Sequence, residues 1–190
     1  METNTPEAGT EAQWHGARVR LLAGDITQVS VDAVVNAANS ALAGGGGVDG
    51  AIHAAAGPTV MAELSERYDG CPTGSAVITG AGNLPARWIV HAVGPIWRGG
   101  GYDEAGLLAS AYASSLDRAA EAGARSVAFA AISCGVYGYP LDEAADVALS
   151  AVRTWLSAHP SSGIADIMFV LRGAPVMAAF RGVIDRQPGP

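Results

Sequence analysis

The sequence predicts an α/β protein, a three-layer α/β/α sandwich around a central mixed sheet. Short runs that are apolar on both faces read as strands covered from both sides, and they alternate with amphipathic stretches at helical spacing. Polar and Gly-rich segments follow these strands, at the carboxyl ends where open α/β sheets form their ligand crevices. A chain of 190 residues, 49% hydrophobic, is about one domain's worth.

The acidic, polar start Met1-Glu2-Thr3-Asn4-Thr5-Pro6-Glu7 lacks the basic-then-apolar order of a signal peptide, and residues 1–15 are expected to be a disordered tail. Residues 16–186 are expected to form the single domain, with 187–190 as a C-terminal tail. Val19, Leu21 and Leu22 open a strand that runs from Arg18 into the turn Ala23-Gly24-Asp25, and residues 31–35 form a second that stops at Asn36. Val48, Ile52, Ala55 and Ala56 share one face of a helix over 48–56, which Gly57-Pro58 ends; another helix spans 59–68. Strands at 76–79 and 88–92 flank the turn Gly82-Asn83-Leu84-Pro85. After a loop over 94–101, an Ala/Leu-rich helix spans 103–121 and closes at Gly123. A strand over 126–132, a helix over 141–158, a strand over 164–171 and a helix over 174–185 complete the order.

All 11 basic residues are Arg, against 18 acidic ones, for a net charge of −7. Without Lys there is no Schiff-base, Walker A or kinase lysine. The acidic balance argues against broad nucleic-acid binding, which neutralises phosphates with basic surface. An anionic ligand must then be held by backbone N–H groups and helix N-termini. Cys71 and Cys134 lie far apart, with no CxxC or Cys/His spacing, so the sequence predicts no zinc site, no disulfide framework and reduced thiols in a cytoplasmic protein. No apolar run approaches the roughly 20 residues that span a bilayer.

Four segments carry candidate chemistry. Asn36-Ala37-Ala38-Asn39 ends a strand, where the two amides either tie up turn backbone or hold a polyol such as ribose. Gly44-Gly45-Gly46-Gly47-Val48-Asp49-Gly50 leads into a helix and is either a flexible loop or an anion site made of exposed N–H groups. Its Gly45-x-Gly47-x-x-Gly50 spacing matches a dinucleotide fingerprint, but a polar Asn segment separates it from the strand, and the acid at the right distance, Asp69, lies in a turn. Asp49 and His53, four apart, share a helix face; the acid either complements the helix dipole or orients a water. In Ser133-Cys134-Gly135-Val136-Tyr137-Gly138-Tyr139-Pro140 the glycines let backbone wrap a phosphate, and the tyrosines stack on a ring or cap the loop. No signature pairs Cys134 with a base, so thiol catalysis is not predicted. Gly24-Asp25-Ile26-Thr27 reads as an Asx turn, or as an acid at a strand end that accepts from an exocyclic amine.

Taken in order with Val31-Asp32-Ala33-Val34-Val35, Cys71-Pro72-Thr73-Gly74 and His91-Ala92-Val93-Gly94-Pro95, these segments resemble a macrodomain of the MacroD type over roughly residues 19–183. The resemblance implies an ADP-ribose-binding hydrolase that removes mono-ADP-ribose from acidic side chains of proteins and deacetylates O-acetyl-ADP-ribose. The alternatives are a non-enzymatic reader of ADP-ribosylated proteins and a hydrolase acting on an ADP-ribosylated nucleic-acid end. By position, the resemblance implies that Asp25 and Ile26 hold the adenine and that Asn36 and Asn39 hold the distal ribose. Gly45, Gly46, Gly47 and Val48 would clamp the diphosphate from one side, and Ser133, Cys134, Gly135, Val136 and Tyr137 from the other. It makes Asp49 the catalytic aspartate, which orients or deprotonates a water, with Asn39, His53 and Tyr137 beside it. The sequence has no metal-ligand cluster, so metal independence is expected, and no cofactor is called for. Three positions depart from the family pattern: Cys134 stands where Thr is usual, Ala54 where Arg is usual, and Ser75 where an acid is usual.

Overall fold

The structure, a computed structural model, describes residues 10–187. The chain runs β1 Glu11–Trp14, β2 Ala17–Ala23, a 3₁₀ turn Ile26–Gln28, β3 Ala33–Ala37, α1 Gly47–Ala56, α2 Pro58–Arg67, β4 Ala76–Gly80 and β5 Trp88–Ala92. It continues with α3 Glu104–Glu121, β6 Ser126–Phe129, α4 Leu141–Ala158, β7 Asp166–Leu171 and α5 Ala174–Arg186. Among the described residues the strands form one 7-stranded sheet in the order β1-β2-β7-β6-β3-β5-β4. From β2 to β5 every pairing is parallel, and β1 and β4 add antiparallel edges. This is the mixed, three-layer sandwich that the apolar strands predict.

Successive side chains of a strand point to opposite faces, and here both faces are covered. Val35, Phe129 and Phe169 stand in register and pack under α3, α4 and α5; Val34, Ala128 and Met168, one residue back, pack under α1 and α2. None of the described helices is long and apolar enough to cross a membrane.

The boundary differences with structural causes are three, and the others amount to one or two residues. Residues 11–14 are a strand, not tail: Ala12 and Trp14 are buried, and Trp14 Nε1 donates to the Gln187 carbonyl at 3.3 Å. A two-residue turn with positive φ at His15 (49°) and Gly16 (87°) folds β1 onto β2. Such a turn matches the strand twist, but His-Gly does not announce it as Asn-Gly would. Residues 1–9 and 188–190 lie outside the described residues. The strand β3 runs through Asn36 to Ala37 because the Asn36 amide finds buried partners, while β6 ends at Phe129, short of residue 132.

The loop between β5 and α3 is tied by one side chain. The buried Glu104 carboxylate accepts the N–H groups of Arg98 at 2.9 Å, Gly100 at 3.1 Å and Tyr102 at 2.7 Å. The same loop reaches the loop after β6, where Trp97 N–H donates to the Tyr137 carbonyl at 2.9 Å. Burial pushes the Glu104 carboxyl up, but the backbone N–H groups outweigh it and hold it below its ordinary 4.5. A carboxyl depressed in the folded state stabilises above its unfolded value and loses that stabilisation as pH falls through the folded one. The wild-type Tm is therefore expected to exceed that of Glu104→Gln near pH 7, with the gap closing below about pH 4.5. A gap unchanged from pH 7 to pH 3.5 overturns the assignment.

Candidate active site

Because the central strands are parallel, their carboxyl ends share one edge of the sheet, and two cavities open there. The first, about 460 Å³, lies beyond β2 and β7, between Asp25, Ile26, Arg172 and Val176. The second, about 330 Å³, lies beyond β3 and β6, between Asn39, Asp49, Ser133 and Tyr137. Both are lined by Gly47, Val48, Ala131 and Gly135, so they are two lobes of one cleft that meet at the start of α1.

That helix start is chemically open. Gly46 is its N-cap and provides no side-chain hydrogen bond. The first intrahelical bond is Gly50 N–H to Gly46 O at 3.2 Å, so the N–H groups of Gly47, Val48 and Asp49 are first-turn donors without helical acceptors. Aligned peptide dipoles add partial positive charge there, and a phosphate is the natural complement. Gly50 fits only without a side chain, since a Cβ would stand 2.7 Å from the Gly45 carbonyl oxygen. Across the junction, Ser133 holds a left-handed φ of 65°, a conformation that costs a non-Gly residue about 1–3 kcal/mol and concentrates at functional sites. The bonds Tyr139 N–H to Ser133 O (3.0 Å) and Gly138 N–H to Gly135 O (2.9 Å) hold this second loop in shape.

In the first turn of α1 sits Asp49, 5% exposed. Its two oxygens differ. The Oδ1 atom accepts Asn36 Nδ2 at 2.6 Å and lies 3.4 Å from His53 Nε2; Oδ2 is buried with no hydrogen-bond partner among the described residues. The space before Oδ2 is kept by Gly45, where a Cβ would approach to 3.2 Å. Asn39, at 2.8 Å from the Gly44 carbonyl and 3.2 Å from Ala43 N–H, shapes the glycine loop through its amide and also lines the second lobe.

Behind Asn36 stands His91, fully buried. Its Nδ1 is 3.3 Å from Asn36 Nδ2 and its Nε2 is 2.9 Å from Thr79 Oγ1. Burial first, and the neighbouring His53 second, push its pKa down to about 3, so the ring is neutral. The network assigns the tautomer: facing an amide N–H, Nδ1 is the acceptor, and Nε2–H donates to Thr79, whose hydroxyl donates to the Gly80 carbonyl at 2.9 Å.

The remaining sequence-predicted residues distribute over both lobes. Asp25 is exposed at the cleft edge and caps the 3₁₀ turn, its Oδ1 accepting Thr27 N–H at 2.9 Å and Thr27 Oγ1 at 2.8 Å. These bonds, with Arg172 adding attraction, hold its carboxyl below the ordinary range against burial. Ile26 and Cys134 line the first lobe; burial pushes the Cys134 thiol up to about 11, an inert group. In the second loop, Val136 is 99% exposed at the tip, and Tyr137 lines the second lobe. Tyr139 turns inward and packs on Trp97 at 4.6 Å between centroids. Asn36 lines neither lobe and contacts Asp49 instead. Sequence reasoning missed Leu141, Arg172, Pro175 and Val176. Arg172 follows a strand end as the other cleft residues do; the apolar three have no mark that separates them from core.

Fold and site together define an α/β/α sandwich with a cleft suited to an anionic ligand at the carboxyl edge of its sheet. Within that class, the Macro domain family model matches residues 35–148. A macro domain-containing protein of Caldanaerobacter subterraneus is 53% identical over 157 residues, covering 81% of this chain and 88% of the relative. An O-acetyl-ADP-ribose deacetylase of Citrobacter koseri is 53% identical over 146 residues, covering 75% and 82%. The solved Oceanobacillus iheyensis macrodomain with ADP superposes with a TM-score of 0.87 at 34% identity, over 93% of this chain and 95% of that one. A Trypanosoma brucei macrodomain in complex with ADP-ribose does so with a TM-score of 0.80 at 37% identity, over 87% and 68%. The chain belongs to the Macro domain family.

Proposed function

We propose that the domain binds ADP-ribose along both lobes and hydrolyses acyl esters at the distal ribose, deacetylating O-acetyl-ADP-ribose and removing mono-ADP-ribose from acidic side chains of proteins. The observation that carries this reading is the asymmetry of Asp49, a residue that lines the second lobe, with one oxygen tethered and the other without a hydrogen-bond partner among the described residues. A binding module has no use for a carboxylate one turn from a diphosphate site, where it repels the ligand. The named activity of the Citrobacter koseri relative supports the same chemistry.

In this reading the adenine occupies the first lobe, its exocyclic amine donating to the ionised Asp25 beside Ile26 and Val176. The diphosphate lies on the first-turn N–H groups of α1 and the loop after β6. The distal ribose enters the second lobe between Asn39 and Tyr137. Asp49 Oδ2 orients a water and takes its proton as the water oxygen bonds to the ester carbonyl carbon; backbone N–H groups stabilise the developing oxyanion, and as it collapses the acyl C–O bond breaks and the ribose oxygen leaves with the proton that Asp49 held, freeing the carboxylic acid. An ester is already activated relative to an amide, so no step is assigned to a metal or cofactor.

The test is release of ADP-ribose from a protein mono-ADP-ribosylated on Glu or Asp, and deacetylation of O-acetyl-ADP-ribose, in a chelating buffer with Asp49→Ala alongside. Release by wild type and not by the variant is expected. Tight ADP-ribose binding without turnover of either ester makes the domain a reader, or moves its activity to another linkage such as an ADP-ribosylated nucleic-acid end.

A further inference from the structure

The parallel register of β3 and β5 sets Asn36 beside His91, and both side chains are fully buried behind Asp49, outside the cleft. Asn36 has two amide hydrogens: one goes to Asp49 Oδ1 at 2.6 Å and the other to His91 Nδ1 at 3.3 Å. Its carbonyl oxygen has no partner among the described residues, so nothing on that side of the amide holds its orientation. A flipped amide would turn that oxygen toward the Asp49 carboxylate, acceptor against acceptor. That repulsion and the His91 ring together oppose the flip, the ring as a neutral, fixed acceptor whose proton is held on Nε2 by Thr79.

We propose that His91 is a positioning residue: through the Asn36 amide it fixes the Asp49 carboxylate with Oδ1 tethered and Oδ2 left without a partner. The inference rests on the hydrolase reading for its effect on rate, but the arrangement of Asp49 is measurable without turnover. His91 lines neither lobe; its ring lies beside the Asn36 amide and stacks on His53 at 5.8 Å between centroids, so its loss is expected to act on kcat and to spare ADP-ribose affinity. Its neutrality makes it a constant acceptor throughout the neutral range, not a titrating switch.

Two substitutions separate positioning from packing. His91→Asn keeps an acceptor near the place of Nδ1, whereas His91→Gln reaches only toward the place of Nε2 and leaves Asn36 without one. For O-acetyl-ADP-ribose, kcat is expected to fall about tenfold or more in His91→Gln and to return to within a few-fold of wild type in His91→Asn, the weight of a lost buried acceptor. The ADP-ribose Kd stays within about threefold in both. Thr79→Val, which keeps the side-chain shape in its strand and frees the ring to change tautomer, is expected to lower kcat with the same unchanged Kd, and serves where the His91 variants fold poorly. Independently of turnover, the two side-chain amide protons of Asn36, observed by NMR, are expected to lose their hydrogen-bonded chemical shifts in His91→Gln and Thr79→Val, since the donor to Asp49 Oδ1 is no longer held in place. Full kcat in a folded His91→Gln or Thr79→Val overturns the proposal, and so does equal loss in His91→Asn and His91→Gln. If wild type turns over neither ester, the hydrolase reading fails, and the Asn36 amide signals alone decide the positioning role: signals unchanged from wild type in both variants end it.

Discussion

Asp49→Asn is expected to lose turnover of O-acetyl-ADP-ribose by about 10²–10⁴-fold, the usual weight of a positioned general base, while binding ADP-ribose as tightly as wild type or more so. The sign on binding follows from charge. A unit charge about 4 Å from another is worth about 1 kcal/mol in water and about 4 kcal/mol near a protein surface, so replacing the carboxylate by a neutral amide removes a repulsion from the diphosphate. The amide is the same size and still reaches Asn36 and His53, so burial at this site is undisturbed. Calorimetric binding beside steady-state kinetics checks both halves. A variant within threefold of wild-type turnover ends the catalytic assignment. One that loses affinity in step with turnover shows that Asp49 holds the loop and does not act on the ester.

The second large effect is expected at Gly50, inside α1. On an exposed helix Gly→Ala stabilises by about 1 kcal/mol. Here the added Cβ would lie 2.7 Å from the Gly45 carbonyl oxygen, and backbone must move to admit it. What moves is the segment bearing the N-cap Gly46, which aims the first-turn donors. Gly50→Ala is therefore expected to weaken ADP-ribose binding tenfold or more, about 1.4 kcal/mol, whatever it does to Tm. Gly182→Ala in α5 is the control: its Cβ would meet only Arg186 Nη1 at 3.6 Å, an ordinary contact, so helix propensity alone should act, raising Tm and leaving affinity alone. Unchanged affinity in Gly50→Ala places the anion elsewhere in the cleft.

The order of strands and helices was legible because its signals are local. Val34 and Val35 sit in one unbroken apolar run, and Val48, Ile52 and Ala56 repeat at helical spacing. β1 was not legible, since two inward residues, Ala12 and Trp14, make too short an alternation and His15-Gly16 is an atypical turn. At the site, the loops stood out because Gly, Asn and Asp cluster where strands end. The connections behind them did not. Asn36 meets Asp49 only because α1 packs over β3, and it meets His91, 55 positions on, only through the β3–β5 register. Neither relation leaves a trace in spacing. The lobe walls at Leu141 and Val176 look like any core residue until the fold shows which side of the layer is open.

The open first-turn N–H donors and the carboxylate occupy the same turn of one helix, at Gly47, Val48 and Asp49. Residues of a helix rise about 1.5 Å each, so grip and reactive oxygen are marks on one rigid ruler. On the proposed reading, a ligand seated by its diphosphate would present to Asp49 Oδ2 whichever bond lies at the measured distance, and a linkage one bond nearer or farther would fall off the scale. The length of the ligand between phosphate and scissile bond, more than the identity of what is cleaved away, then sets what the domain accepts, and a small ester and a whole modified protein become equivalent wherever that length is the same.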